Sequence, residues 1–242
     1  MRTPAEQRSS RSSTRDSVLD TLRRRIISLE LPPGQPLSEN DLAKELGVSR
    51  TPVRESLILL REEGLIEVYP QVGSFVSLVD IARVSQAQFV REAIECASLA
   101  DTTGRGPDEL AALRGNLARQ REAVDASDAE RFFELDEEFH RELLRLGGHV
   151  SAWAAVNSAK AHLDRARRLS LSGTRPLAVL LEQHTAVVDG IEAQETSGAI
   201  DALRTHLRAV FDDIERIQAA SPELFAGSEP ARPTRRTVAR LA

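Results

Sequence analysis

The sequence predicts a mostly α-helical protein in two parts: an N-terminal winged helix-turn-helix with a small β-hairpin wing, then an all-α antiparallel bundle. Three observations carry this. Residues 37–57 hold two short helical patterns joined at Gly47-Val48. Two short β-type runs, Leu65-Ile66-Glu67-Val68 and Ser74-Phe75-Val76-Ser77, follow around the turn Tyr69-Pro70-Gln71-Val72-Gly73. From Asp80 to about Ala220 the apolar residues recur at helical spacing, with no β pattern.

The first element predicted is an amphipathic helix from Thr14 to Leu29, with Val18, Leu19, Leu22, Ile26 and Leu29 on one face and Thr14 as its cap. Leu31-Pro32-Pro33-Gly34 stops it. Leu42, Leu46, Val48, Val53, Leu57 and Leu60 are spaced to pack the two helices of the helix-turn-helix together. The second of these opens Ser49-Arg50-Thr51-Pro52-Val53-Arg54. Ser49 suits the cap, and Pro52 lies in the first turn, where a missing N–H costs nothing. Arg50 and Arg54 are four apart and project from one face beside a helix N-terminus that attracts phosphate. A helical hairpin with a charged outer face is the bland alternative. Gly64 closes this helix before the hairpin.

The remaining domain limits follow from composition. Residues 1–13, rich in arginine and serine, read as a disordered tail, 14–79 as the winged helix, 80–220 as the bundle and 221–242 as a flexible tail. Turn residues at 104–107, 127, 147–148, 172–176 and 197–198 divide the bundle into about six helices, with Ser127-Asp128-Ala129-Glu130 as a capping box and Gly147 as a stop. A net charge of −5 is the wrong sign for indiscriminate coating of nucleic acid, so basic contacts must be local. One cysteine, Cys96, fits a reducing, cytoplasmic setting and reads as core filler. No stretch approaches the ~20 apolar residues of a membrane span, and the N-terminus is no signal peptide.

Inside the bundle, polar residues interrupt apolar stripes. Asp136 and His140, four apart, lie among Phe132, Phe133, Phe139, Leu143 and Leu144; His184 precedes Val187 and Val188; His206 sits between Leu203 and Val210. One carboxylate and three imidazoles from three helices can thus face one core. Unpartnered, each costs on the order of a few kcal/mol. A divalent metal removes that cost, and this donor set suits zinc first, with nickel, manganese, cobalt or iron also possible. Satisfied core histidines and a simple Asp–His hydrogen bond are the alternatives. His149 and His162 lack the pattern.

The run LPPGQPLSENDLAKELGVSRTPVRESLILLREEGLIEVYPQVGSFV resembles the DNA-binding domain of GntR-type transcription regulators over roughly residues 14–79. The resemblance implies that Ser49, Arg50, Thr51 and Arg54 meet the major groove and that Gly73 lets the wing approach the minor groove. Asn40 and Gln71-Val72 stand where the family often carries basic residues. Residues 85–211 look like the FCD domain of the FadR branch, through Leu135-Asp136-x-x-Phe139-His140-Arg141-x-Leu143, Glu182-x-His184 and Arg204-x-His206-Leu207. That likeness implies that Asp136, His140, His184 and His206 are metal ligands and that the metal helps to bind a small carboxylate effector. Arg91 matches a family arginine that can face the pocket, although an i, i+4 salt bridge with Glu95 explains it equally well. Asn157 and Arg165 share a helical face with Trp153 and are further candidates for the effector pocket.

The expected protein is a homodimeric regulator, a repressor rather than an enzyme, reading a short pseudo-palindromic operator in double-stranded DNA. Two other readings stand beside it. In one, the metal is structural or is itself the signal. In the other, the bundle is a metal-dependent hydrolase, although no proton-transfer group is clearly placed beside the ligands.

Overall fold

The structure is a computed structural model that describes residues 4–171, 173 and 175–227, leaving aside the side chains of 4–13. It divides into two compact units, one running to Asp80 and resuming at Ser221, the other spanning Ile81–Ala220.

In the first unit, α1 (Pro4–Ile27) packs across α3 (Arg50–Glu62), and α2 (Glu39–Glu45) packs on α3. The helix therefore begins well before the expected cap Thr14 and takes in most of the expected N-terminal tail; Met1–Thr3 lie outside the described residues. No proline or glycine follows Pro4 until the helix ends, and proline suits a first helical position. Val18, Leu22, Ile26, Leu42, Val53, Leu57 and Leu60 form the buried seam. Ser38 caps α2 by accepting from the Asp41 amide, and Gly47 turns the chain at φ 65°, where a side chain would be strained. Ser49 stands at the N-cap of α3 in extended conformation, but its hydroxyl caps no amide, contrary to expectation.

The wing pairs β2 (Ile66–Tyr69) with β3 (Gly73–Val76) in antiparallel register. An edge strand, β1 (Pro36–Leu37), pairs with β3, so the sheet has three strands rather than the two of the predicted hairpin. At two residues, with a proline that fits only an edge, β1 leaves no periodic signal. The C-terminal segment also departs from expectation. Phe225 is fully buried, and Leu224 and Ala226 exchange backbone hydrogen bonds with Val79 at 2.9 Å. The part of the predicted tail up to Gly227 is thus built into this unit, while 228–242 lie outside the described residues.

The second unit is a bundle of seven α-helices: α4 (Ile81–Ala100), α5 (Pro107–Asp125), α6 (Ala129–Leu146), α7 (Trp153–Ala159), α8 (Ala161–Leu171), α9 (Leu177–Glu192) and α10 (Thr196–Ala220). Its core gathers leucines of α5, Phe132, Phe139 and Leu143 of α6, Val187 and Val188 of α9, and Leu203 and Leu207 of α10. Three details differ from the reading by composition. Asp128, not Ser127, caps α6 through the Arg131 amide. The turn before α10 falls at Gln194, with φ 59°, and Ser197-Gly198 lie inside the helix. A break at Lys160 separates α7 from α8 within a run of good helix formers. Lys160 is buried there, its ammonium held by Glu137 of α6 and by Asp164 at 2.6 Å. Gly147, which ends α6, lies so close to α4 that an added Cβ would overlap the Ser98 carbonyl.

Candidate metal centre and DNA-reading head

Helical spacing sets Asp136 and His140 one turn apart on α6, and α9 and α10 bring His184 and His206 against them. Their ligand atoms all lie within 4.8 Å of one another and all four residues are buried. The Nε2 atoms of His140 and His206 are 3.2 Å apart, and those of His184 and His206 are 3.1 Å apart. The Asp136 carboxylate stands 3.6 Å from Nε2 of His140, 3.5 Å from that of His184 and 4.0 Å from that of His206.

The other face of each ring decides what these nitrogens are. Nδ1 of His140 meets Glu95 Oε2 at 2.6 Å, Nδ1 of His184 meets Gln120 Oε1 at 2.8 Å, and Nδ1 of His206 meets Gln183 Oε1 at 3.0 Å. All three partners are acceptors, so each Nδ1 carries a proton, and in the neutral ring that metal binding requires each Nε2 turns a lone pair inward. Two such lone pairs cannot hydrogen-bond each other. A tetrahedral cation with nitrogens at about 2.0–2.1 Å needs N···N separations of about 3.3 Å, close to those seen. The donor chemistry and spacing therefore fit a divalent metal, with outer acceptors of the kind that orient metal-bound histidines.

The electrostatics agree. Burial pushes the His184 pKa down to about 3, and burial followed by the neighbouring His184 and His140 puts His206 well below its ordinary value. Both rings are therefore neutral, as metal binding requires. For Asp136, burial alone would raise the pKa; the positive charge of the Arg167 guanidinium leads the neighbours that overcome it and hold the carboxyl ionised. Glu95, fully buried, is likewise kept below its usual value against burial by His140 and Arg91. Phe139 stacks on His184 with ring centroids 4.2 Å apart, which closes the apolar side of the site.

A small cavity of about 40 Å³ opens beside the cluster, lined in part by Arg91, Asp136, Arg167, Arg175, His206 and Asp213. Arg91 combines both readings of it: Nε binds Glu95 at 2.8 Å, while Nη2 lies 3.8 Å from Asp136 and is buried without a hydrogen-bond partner among the described residues. Asn157 is exposed on α7, and neither it nor Arg165 lines this cavity. Arg165 is buried elsewhere in the bundle, where burial lowers its pKa to about 10. Grouping both with Trp153 assumed one continuous helix; the break at Lys160 starts α8 afresh and puts Arg167 at the cavity instead. Sequence reasoning also missed Glu95, Gln120 and Gln183. Asn116 and Gln120, buried among Leu113 and Leu117 on α5, carried the same polar-in-apolar signal as Asp136 and His140. Cys96 is half-buried with its pKa raised by burial to about 11, which makes it a poor nucleophile.

In the first unit, Ser49, Arg50, Thr51 and Arg54 are all exposed at the start of α3. Gly73 is exposed at the start of β3, with φ 146°. Arg50 and Arg54 both pair with Glu39 of α2, at 3.2 and 3.0 Å. No helix among the described residues is long and apolar enough to cross a membrane.

A winged-helix head followed by a helical domain of this kind defines a DNA-binding transcription regulator. The chain belongs to the GntR family: residues 14–76 match the bacterial regulatory proteins of the gntR family, and residues 86–209 match the FCD domain. It is 52% identical over 96% of its length to an HTH-type transcriptional regulator of Streptomyces ambofaciens, covering 98% of that protein. It is 34% identical over 85% of its length to the HTH-type transcriptional repressor RspR of Escherichia coli K12, covering 90% of it. Its fold is similar to that of E. coli McbR/YncC, with a TM-score of 0.68 over 84% of this chain and 97% of the other at 19% identity. The family and these relatives are transcriptional regulators, not enzymes.

Proposed function

We propose that this protein is a repressor of the FadR branch, acting in the cytoplasm as a homodimer on a short pseudo-palindromic operator, with a small carboxylate effector bound at a metal in the helical domain. The observation that carries the sensing half is the convergence of three Nε2 atoms and the Asp136 carboxylate in a buried site. Asp136, His140, His184 and His206 would hold the ion, zinc being the first candidate. When bound, it supplies an electrophilic position that attracts a carboxylate oxygen. Arg91, with its buried Nη2 at the cavity, and Arg167 offer the matching charge for an anion. Glu95, Gln120 and Gln183 hold the rings in register. In the head, Ser49, Arg50, Thr51 and Arg54 would read base edges and phosphates in the major groove, and Gly73 would let the wing reach the minor groove. Effector binding changes DNA affinity only as far as it favours one arrangement of the dimer over another. That several relatives are named repressors supports the sign of regulation.

The test is to measure zinc content after chelation and reloading, then to screen zinc-loaded full-length protein against small carboxylic acids by thermal shift. One ion per chain and a concentration-dependent rise in Tm with a carboxylate are expected. Failure to retain zinc, with no carboxylate response, would overturn the sensing half. A second reading, with the metal structural or itself the signal, draws on the small cavity of about 40 Å³. It predicts that chelation unfolds the bundle or changes DNA affinity with no acid present.

A further inference from the structure

We infer that Glu39 is a positioning residue of the reading head, holding Arg54 in the geometry that selects bases over phosphates and restraining Arg50 beside it. The inference rests on the proposed role of those two arginines. Glu39 is the first residue of α2, and its two carboxylate oxygens divide between the arginines of α3. Oε1 takes Nε of Arg54 at 3.0 Å and Oε2 takes Nη2 of Arg50 at 3.2 Å. Both guanidiniums remain well exposed, at 60% and 63% for their side chains, while Glu39 is the more enclosed partner at 27%.

The atoms used in these pairs decide their consequence. The bond to Arg54 engages Nε, which leaves the N–H groups of the two terminal nitrogens that point along the side chain for the end-on fork that matches guanine O6 and N7, whereas the bond to Arg50 engages Nη2 and restrains that side chain instead. An arginine free to rotate would instead find the nearest phosphate, which binds it without regard to sequence. One carboxylate shared by two guanidiniums also trims the positive charge that any DNA would attract. The hydrogen bond from Arg54 holds the Glu39 carboxyl below its usual pKa, so it stays charged across the working range. The alternative role for Glu39 is local: an acid in the first turn of α2 favours the helix dipole, as Asp41 also does.

Two substitutions in the full-length protein separate these roles. Glu39→Gln removes the charge; Glu39→Asp keeps the first-turn charge but withdraws the carboxylate from the arginines. The probes are a duplex enriched from a random library by the wild-type protein and a shuffled duplex of equal length. For Glu39→Gln we expect affinity for the shuffled duplex to rise several-fold, the enriched-to-shuffled ratio to fall by about tenfold, and the salt dependence to steepen by about one phosphate contact. Glu39→Asp should lose discrimination at an unchanged Tm. Unchanged ratios in both variants, with or without a fall in Tm, would overturn the inference and leave Glu39 a helix-end residue. Arg50→Ala and Arg54→Ala run in parallel. If neither weakens binding to the enriched duplex, the reading-head assignment falls and this inference with it. If they do weaken it while the Glu39 variants keep the wild-type ratio, this inference alone fails.

Discussion

Replacing Gln120 by leucine tests the centre without touching a ligand. The Gln120 carbonyl accepts from Nδ1 of His184 at 2.8 Å, its amide donates to Asn116 Oδ1 at 2.6 Å, and Asn116 Nδ2 donates to the Leu135 carbonyl at 3.0 Å. This relay runs from a ring nitrogen to the backbone of α6 and fixes both the tautomer and the tilt of the imidazole. All three side chains are fully buried, so water cannot stand in. In Gln120→Leu the Nδ1–H loses its acceptor, and the ring can place its proton on Nε2 instead, where it blocks a ligand position. Loss of such an outer partner lowers metal affinity by about 10–100-fold, or about 1.4–2.7 kcal/mol. The unsatisfied Asn116 carbonyl adds about 1–3 kcal/mol of destabilisation to the metal-free fold. Zinc competition against a chromophoric chelator, with circular dichroism to confirm folding, gives both numbers. A zinc affinity within twofold of wild type in a folded variant would refute the argument that Gln120 sets the His184 tautomer.

Four other outcomes are expected. Arg50→Ala or Arg54→Ala should weaken operator binding by about 1–3 kcal/mol if each reads a base, measured by fluorescence anisotropy at fixed salt. Metal-free protein should lose stability on acidification: His184 and His206 have folded pKa values below their unfolded ones, so their contribution is complete above about pH 6.5 and is lost as pH falls. Unfolding free energies from urea titrations at pH 6.5 and 5.5 should then differ by about 2 kcal/mol in total, and a flat profile would contradict two buried neutral rings. Gly147→Ala should destabilise the bundle by about 1–3 kcal/mol, because its Cβ meets backbone of α4 rather than a movable side chain; thermal melts check it. Leu60→Ala, at a fully buried position, should cost about 2–5 kcal/mol in chemical denaturation.

The parts legible in the sequence were those governed by short-range rules. Gly47, the Arg50–Arg54 spacing and the glycine-bounded hairpin act within a few residues, and the four metal-type donors stood out because helical periodicity puts charge on an apolar stripe. Long-range packing decided the rest. Nothing local interrupts Ala159-Lys160-Ala161; the helix breaks where Lys160 turns inward to Glu137 of α6, with Asp164 of α8 as its second partner. Past that break Arg167, and not Arg165, lines the cavity beside the cluster. Edge strand β1 exists only because β3 offers it partners. Phe225 sits in a low-complexity stretch whose composition gave no hint that it would fill a core.

The chain returns to the first unit at Ser221, and Phe225, buried beside Val79, completes that unit's interior with a residue that follows the whole bundle in sequence. Ending the chain after Ala220 would therefore remove the ring that fills this place and leave a gap in the interior of the first unit, although α1, α2 and α3 would still be present.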